Sequence, residues 1–154
     1  MAINQPLATD TLDSPDHALS HRVFANDSSA PVQSVVVDAS GNVGINKVVP
    51  VSGFDINKSI GFKVTAVTNT DHTADATETM IFVTASTVAV TITLPTAVGA
   101  TGRFYVIKKV DATATYTVTV DGAGTETIDG ELTQILRPYD AISIVSDGAN
   151  WQII

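Results

Sequence analysis

The sequence predicts an all-β fold, in which an N-terminal extended arm with a β-hairpin precedes an antiparallel β-sandwich or jelly-roll-like domain. Thr, Val and Ile number 21, 20 and 13 among 154 residues, and such β-branched side chains suit a pleated surface. Apolar residues alternate with small ones in "TVAVTITLP", residues 87–95. Similar short runs recur about every 8 to 12 residues between turns rich in Gly, Asp and Asn, which is typical of sandwiches and barrels.

Residues 1–31 form the predicted arm, which is polar and shows little alternation. Within "DSPDHALSHRVF", Ser14 is a suitable helix cap and Pro15 a suitable first residue, so a short helix is predicted over residues 15–24. A helix of this length needs a surface to pack on. We therefore expect the arm to order on another subunit, with Arg22 and Phe24 near the contact.

His17 and His21 are four residues apart, so the predicted helix would place both on one face. Two imidazoles at this spacing can bind zinc or nickel. No third ligand is evident, and the alternative is a pair of surface or interface histidines. The sequence therefore predicts no metal site, with His17 and His21 as the weak candidates.

The stretch "VQSVVVDASGNVGIN" predicts a β-hairpin, with strands over residues 32–37 and 43–45 around an Ala-Ser-Gly-Asn turn. Pro50 and Gly53 then mark a linker or an edge piece. The predicted organisation is an arm and hairpin for attachment over residues 1–53, and a β-sandwich domain over residues 54–154.

The sandwich domain has a regular series of predicted strands. They are expected at residues 60–67, 79–85, 87–95, 102–110, 115–120, 131–138, 141–147 and 150–154. Residues 68–78 form a long polar surface loop, and Trp151 is expected to pack on the core. In the strand 102–110 both faces are partly apolar, which indicates a central strand or one whose outer face meets a partner.

Threonines line one face of two predicted strands. Val88, Val90, Ile92 and Leu94 should fill the core, which leaves Thr91 and Thr93 on the other face, and residues 115–120 repeat the pattern with Thr117 and Thr119. This face is either hydrated or covered by neighbouring copies in a symmetric oligomer. The predicted assembly interface combines arm and sandwich residues: Ser14, Pro15, His17, His21, Arg22, Phe24, Thr91, Thr93, Thr117 and Thr119.

The charge and motif content disfavour several functions. The net charge of −8 repels phosphate backbones, so no nucleic-acid partner is expected. No apolar segment reaches the roughly 18 residues of a membrane span, so no membrane partner is expected. There is no cysteine, P-loop or nucleophile-elbow motif, and Asp129 and Glu131 flank Gly130 in a sequence that predicts a turn. We expect no catalytic residue, no cofactor and no enzymatic activity.

Several motifs resemble a module of tailed-bacteriophage virion proteins. Over residues 78–154 these are, in order, "VTITLP", "GATGR", "YVIKK", "TIDG" and "SDGANWQII". Near the start, "SPDHALSHR" and "SGNVGI" resemble the beginnings of phage fibre or spike proteins, in which a long shaft usually follows. Here the end module follows almost directly, which disfavours a long fibre.

The resemblance implies a non-enzymatic virion structural protein, made in the cytoplasm of a bacterial host and assembled as a homotrimer. Its expected role is a capsid decoration (cement) protein that stabilises the head by contacting the major capsid protein or other virion proteins. The alternative is a short tail fibre or spike component that binds a cell-surface glycan or receptor through loops such as residues 68–78.

Overall fold

The computed structural model describes residues 21–23, 35–47 and 49–154, and these residues contain thirteen β-strands and no helix. The prediction of an all-β, sandwich-like fold is confirmed. The chain forms two compact units, residues 1–61 and residues 62–154.

The first unit contains one four-stranded sheet. Its strands are β1 (His21–Val23), β2 (Val35–Val37), β3 (Val43–Ile45) and β4 (Phe54–Ile56), and they lie in this order across the sheet. The first three are antiparallel, and β4 runs parallel to β3. The predicted hairpin is therefore confirmed over β2 and β3.

The hairpin turn is held by one aspartate. The Oδ1 atom of Asp38 accepts hydrogen bonds from the backbone N–H groups of Ser40 and Asn42, each at 2.9 Å. Gly41 has a φ of 80°, a left-handed conformation that glycine adopts without steric strain. Because these bonds fix the turn length, Val37 pairs with Val43 and Val35 with Ile45.

The helix predicted over residues 15–24 is wrong where the structure describes that stretch. His21–Val23 forms β1 and pairs with β2, with Arg22 opposite Val36. A neighbouring valine-rich strand supplies backbone hydrogen-bond partners along its whole length, whereas a short helix is marginal in water. The rest of the predicted helix lies outside the described residues.

The boundary between the two units lies after Gly61, whereas the sequence analysis places it after residue 53. The difference arises from β4, which pairs with β3 in the sheet of the first unit. Asp55 in β4 forms an ion pair with Lys47 at 2.6 Å and accepts a hydrogen bond from the N–H of Val51. These contacts tie β4 to the connection that precedes it.

The second unit contains two sheets. Its strands are β5 (Val64–Thr68), β6 (His72–Thr73), β7 (Met80–Thr84), β8 (Val90–Thr93), β9 (Phe104–Lys109), β10 (Val118–Asp121), β11 (Thr133–Leu136), β12 (Ala141–Ser146) and β13 (Trp151–Ile153). The five-stranded sheet has the order β13-β12-β9-β7-β5, and the four-stranded sheet has the order β11-β10-β8-β6.

Both sheets of this unit are mixed rather than purely antiparallel. From β5 to β10 each strand lies in the opposite sheet from the strand before it, so strands that neighbour in one sheet run parallel. Only β11, β12 and β13 add antiparallel pairs. The short polar connections that suggest hairpins are mostly arches that carry the chain between the sheets.

The core lies between the inner faces of these two sheets. Trp151, Tyr105 and Ile92 are fully buried there, which confirms the expected packing of Trp151 on the core. Of the predicted core row, Val90, Ile92 and Leu94 are buried, but Val88 is 45% exposed. Its prediction is wrong because β8 begins only at Val90.

One charged pair lies at the edge of this core. Lys109 in β9 is fully buried, and its Nζ contacts both carboxylate oxygens of Asp111 at 2.7 and 2.6 Å. Asp111 also accepts hydrogen bonds from the backbone N–H groups of Ala85 and Thr113. Burial raises the pKa of Asp111, but these bonds outweigh it and lower that pKa from 3.8 to about 2. The pair joins the end of β9 to the chain that leaves β7.

We predict that Asp111→Ala lowers the free energy of unfolding by about 3 to 5 kcal/mol, because the ammonium of Lys109 is then buried without a counter-charge. Lys109→Met should lower the free energy of unfolding by about 1 kcal/mol or less, since Asp111 is partly exposed and keeps its hydrogen bonds from backbone N–H groups. Urea unfolding at neutral pH measures both values. Equal losses for the two variants would contradict the structural role given to this pair.

Candidate functional site

The outer face of the four-stranded sheet, called the threonine face, carries all four of the sandwich residues predicted to form an interface. Thr91 and Thr93 alternate with buried residues of β8 and are half-buried. Thr119 lies opposite Thr91, and Asp121 lies opposite Thr93. Thr117, just before β10, is also half-buried. The structure therefore brings these four threonines onto one outer face, which also holds a carboxylate.

The outer face of the five-stranded sheet is different in chemistry. It is called the apolar face and is formed by outward side chains of β5, β7, β9 and β12. These are Val64, Ala66, Met80, Phe82, Phe104, Val106 and Val145. Each alternates with an inward residue of the same strand, as Phe82 does with the buried Ile81 and Val83. Apolar side chains therefore predominate on this side as well, although its outward positions also hold Ala141 and the polar residues Thr68, Thr84, Lys108, Ser143 and Gln152.

Strand register places several residues of the apolar face side by side. Met80 lies between Val64 on β5 and Val106 on β9. The ring of Phe104 meets that of Phe62 edge-on, with centroids 5.7 Å apart. Phe62 is 41% exposed and Val64 is 49% exposed. The apolar side chains thus form a patch over β5, β7 and the start of β9, which is open to water at its β5 edge and is bordered by Lys108 beside Phe82 and by Ser143 beside Val106.

Two stretches of sequence carried a signal for this face. "TMIFVTA" has four consecutive apolar residues, Met80 to Val83, and such a run is typical of a strand buried on both sides. The strand 102–110 was predicted to be central or to meet a partner with its outer face. The structure places it centrally, with Tyr105 and Ile107 inward and Phe104 and Val106 outward. The sequence analysis emphasised the threonines and missed the combined face.

An open groove of about 610 Å³ lies at one end of the second unit. It is lined by residues from the start of β9, the loop before it and the chain before β7, among them Thr79, Thr96, Thr101, Arg103 and Tyr105. The guanidinium of Arg103 lies 5.9 Å from the centroid of the Tyr105 ring. No described residue accepts a hydrogen bond from that guanidinium or pairs with it. The groove thus combines one cation with hydroxyl and aromatic groups.

The predicted loop over residues 68–78 contains the short strand β6 and is held by polar side chains. Asn69 accepts hydrogen bonds from the backbone N–H groups of Ser86 and Thr87. At the other end, the buried carboxylate of Glu78 contacts His72 Nε2 at 3.0 and 3.1 Å and accepts a bond from the N–H of Asp75. This loop is therefore a fixed part of the unit, and its end forms one wall of the groove.

The predicted interface residues of the arm lie either in β1 or outside the described residues. His21 and Arg22 are in β1. Because His21 is in a strand, it is not part of the helical face that was predicted to carry His17 and His21 together. Ser14, Pro15, His17 and Phe24 lie outside the described residues. Across residues 21–23, 35–47 and 49–154, no group of three or more His, Cys, Asp or Glu side chains is placed to hold a metal ion.

Asp129 and Glu131 lie in a tight turn, as their sequence indicates. Asp129 has a φ of 52°, and its Oδ1 accepts a hydrogen bond from the N–H of Ile153. The N–H of Glu131 donates to the carbonyl of Ile128. This turn fixes β13 at the edge of its sheet.

Comparisons with protein-family models, with curated proteins and with solved structures gave no match to this chain. In the part of the chain that the structure describes, no helix is long and apolar enough to cross a membrane.

We predict that Glu78→Gln lowers the free energy of unfolding by about 1 to 3 kcal/mol at pH 7, since a buried charge-assisted network is lost. Burial raises the pKa of Glu78, yet its bonds to His72 and Asp75 lower that pKa below 4.5 overall. A lowered pKa means that the stabilisation is present above pH 4.5 and is lost as the pH falls below it.

Urea unfolding at pH 7 and at pH 3 measures both effects. The stability of the wild type should fall more between these two pH values than that of Glu78→Gln. Thr70→Ala, in the exposed part of the same loop, is the matched control and should resemble the wild type. An equal fall for Glu78→Gln and the wild type would contradict the role of this carboxylate.

Proposed function

We propose that this chain is a non-enzymatic structural protein of a bacteriophage virion: a homotrimeric decoration protein that stabilises the head. The observation that carries the proposal is the apolar face. A sheet with apolar side chains on both sides gains stability when its outer side is also removed from water, at roughly 25 cal/mol per Å² of apolar surface. Such a face suits a protein that works within an assembly.

The motifs that resemble phage virion proteins coincide with structural elements of the second unit. "VTITLP" contains β8 and the buried Leu94, and "YVIKK" lies in β9 and ends at the buried Lys109. "SDGANWQII" runs from the last residue of β12 through the turn and β13, and in the turn Asp147 accepts hydrogen bonds from the N–H groups of Ala149 and Asn150. The resemblance therefore concerns residues that build the fold, which supports a shared architecture.

The proposed mechanism is the addition of contacts without a chemical step. The second unit supplies a rigid β body, and the first unit attaches it to the major capsid protein or to other virion proteins. Each attachment adds buried surface at the junctions of the shell. Many copies bound to one particle turn a modest contact into a large total stabilisation. The protein would act on the outer surface of the capsid and require no cofactor, nucleic acid or membrane.

We predict that quantitative mass spectrometry of purified virions finds this chain in a fixed ratio to the major shell protein. Heads separated from tails should retain it. Emptied heads that lack the protein should rupture at a lower temperature, and addition of the purified protein should restore the wild-type value. Its absence from virions would overturn the proposal, and confinement to tails in few copies would favour the alternative below.

The groove favours a second candidate function, a short tail fibre or spike component that binds a cell-surface glycan. The unpaired guanidinium of Arg103 can form bidentate bonds with the carboxylate of an acidic sugar. The hydroxyl groups of Thr79 and Thr101 line the same groove and can bond to sugar hydroxyls. The groove also borders the loop over residues 68–78, which the sequence analysis named for this role.

If the groove binds an acidic saccharide, we predict that Arg103→Ala weakens binding of a uronic-acid oligosaccharide by about tenfold or more, through loss of a charge-assisted contact. Isothermal titration calorimetry measures the affinity. Arg137→Ala is the matched control, since Arg137 is exposed and does not line the groove. The same affinity for both variants, or none for the wild type, would exclude this candidate.

A further inference from the structure

An exposed segment connects the two units of this chain. It comprises residues 57–63, between β4 and β5, and each of these residues is exposed. The N–H of Asn57 donates to the last residue of β3, and the carbonyl of Lys63 accepts from the N–H of Met80. Between these two anchors, residues 58–62 form no hydrogen bond with any other residue that the structure describes. The backbone of this connecting segment is therefore hydrated and accessible.

An accessible backbone of this kind suits a protease. A protease binds its substrate as an extended strand, through hydrogen bonds to the substrate backbone. A segment whose backbone is already paired must first open locally, whereas the connecting segment needs no such opening. The segment also contains Lys58 and Lys63 and no carboxylate. Proteases of trypsin-like specificity select such a basic side chain through a carboxylate in the specificity pocket, so this class of protease fits the segment.

The two lysines of the connecting segment differ in their contacts. The Nζ of Lys63 donates to Thr77 Oγ1 at 3.2 Å, and the carbonyl of Lys63 is bonded to the chain before β7. Lys58 forms no hydrogen bond and no ion pair with the residues that the structure describes. Both the side chain of Lys58 and the peptide bond that follows it are therefore available to an enzyme.

The other basic residues of the chain are less accessible. Each is held by a strand, a hydrogen bond or an ion pair, or precedes a proline. They are Arg22 in β1, Lys47 in its ion pair with Asp55, Arg103 with both backbone groups bonded, Lys108 and Lys109 in β9, and Arg137 before Pro138. Cleavage at these positions needs local unfolding or is hindered by the proline ring. Among the basic residues that the structure describes, Lys58 is thus the most accessible to a protease.

We propose that the Lys58–Ser59 bond is a processing site, at which a protease of trypsin-like specificity separates the two units and leaves the second unit folded. Hydrolysis consumes one water: the C–N bond between Lys58 and Ser59 breaks, Lys58 gains a carboxylate and Ser59 gains an ammonium. Strands β5 to β13 and the buried core of the second unit all lie after the cut. This inference goes beyond the proposed function and does not depend on it.

The test treats the full-length protein with a small amount of trypsin and identifies the products by intact mass spectrometry. Lys58→Gln is the main variant, and it should fold because Lys58 is exposed and forms no hydrogen bond. Lys63→Gln removes the same charge from the same segment and is the matched control. Trp151 is the single tryptophan and is fully buried, so its fluorescence reports whether the second unit is folded. Circular dichroism verifies the folding of both variants.

We expect residues 1–58 and 59–154 as the first products of the wild type and of Lys63→Gln, with unchanged fluorescence of Trp151. Lys58→Gln should be cut at least about tenfold more slowly, because cleavage elsewhere requires local unfolding. A first cut at another residue overturns the inference. So does an equal rate for Lys58→Gln and the wild type, or loss of the folded fluorescence on cleavage.

The outcome is separable from that of the proposed function. If the first unit attaches the protein to particles, trypsin should release residues 59–154 from purified virions and leave residues 1–58 bound. Retention of the cut second unit on the particle leaves the processing site standing and overturns attachment through the first unit. A chain that is absent from virions, but whose purified form is cut at Lys58, supports this inference and overturns the proposed function.

Discussion

The second unit depends on one constraint: two sheets must bury their inner faces against each other while the chain alternates between them. From β5 to β10 no two consecutive strands share a sheet, so each sheet is complete only when the other is. Ile81 and Ile107 in one sheet, and Ile92 and Val120 in the other, are consequently buried in one core. Such non-local pairing couples distant parts of the chain, because every connection from β5 to β10 spans the thickness of the sandwich.

Polar side chains at the strand ends make this alternation possible. An arch between two sheets leaves backbone N–H groups without ladder partners, and each such group needs an acceptor. Three side chains accept hydrogen bonds from N–H groups that are distant in sequence. They are Asn69, which accepts from Ser86 17 residues away, Asp111, which accepts from Ala85 26 residues away, and Glu126, which accepts from Ala97 29 residues away. Burial raises the pKa of Glu126, but its bonds to Thr96 and the N–H of Ala97 lower that pKa overall. Carboxylates that could suggest chemistry in the sequence therefore serve here as acceptors that fix the loops.

The two outer faces carry the functional interpretation, and the difference between them comes from a few side chains. Outward positions of β8 and β10 hold Thr91 and Thr119, whose hydroxyl groups can remain hydrated. Outward positions of β7 and β9 hold Phe82 and Phe104, which gain stability when removed from water. The molecule thus has one outer face that tolerates water and one that gains more from contact, and they lie on opposite sides of the same core.

The sequence by itself determined the all-β class, the hairpin around Asp38 and most core positions, because two-residue alternation and turn residues act locally. It also indicated the apolar outer side of the strand 102–110. The tertiary structure alone decided which strands are neighbours, since a short polar connection can close a hairpin or bridge two sheets. It placed His21 in a strand, because pairing with β2 outweighs a local cap. It also buried Lys109 at the end of β9, where Asp111, two residues later, supplies the counter-charge.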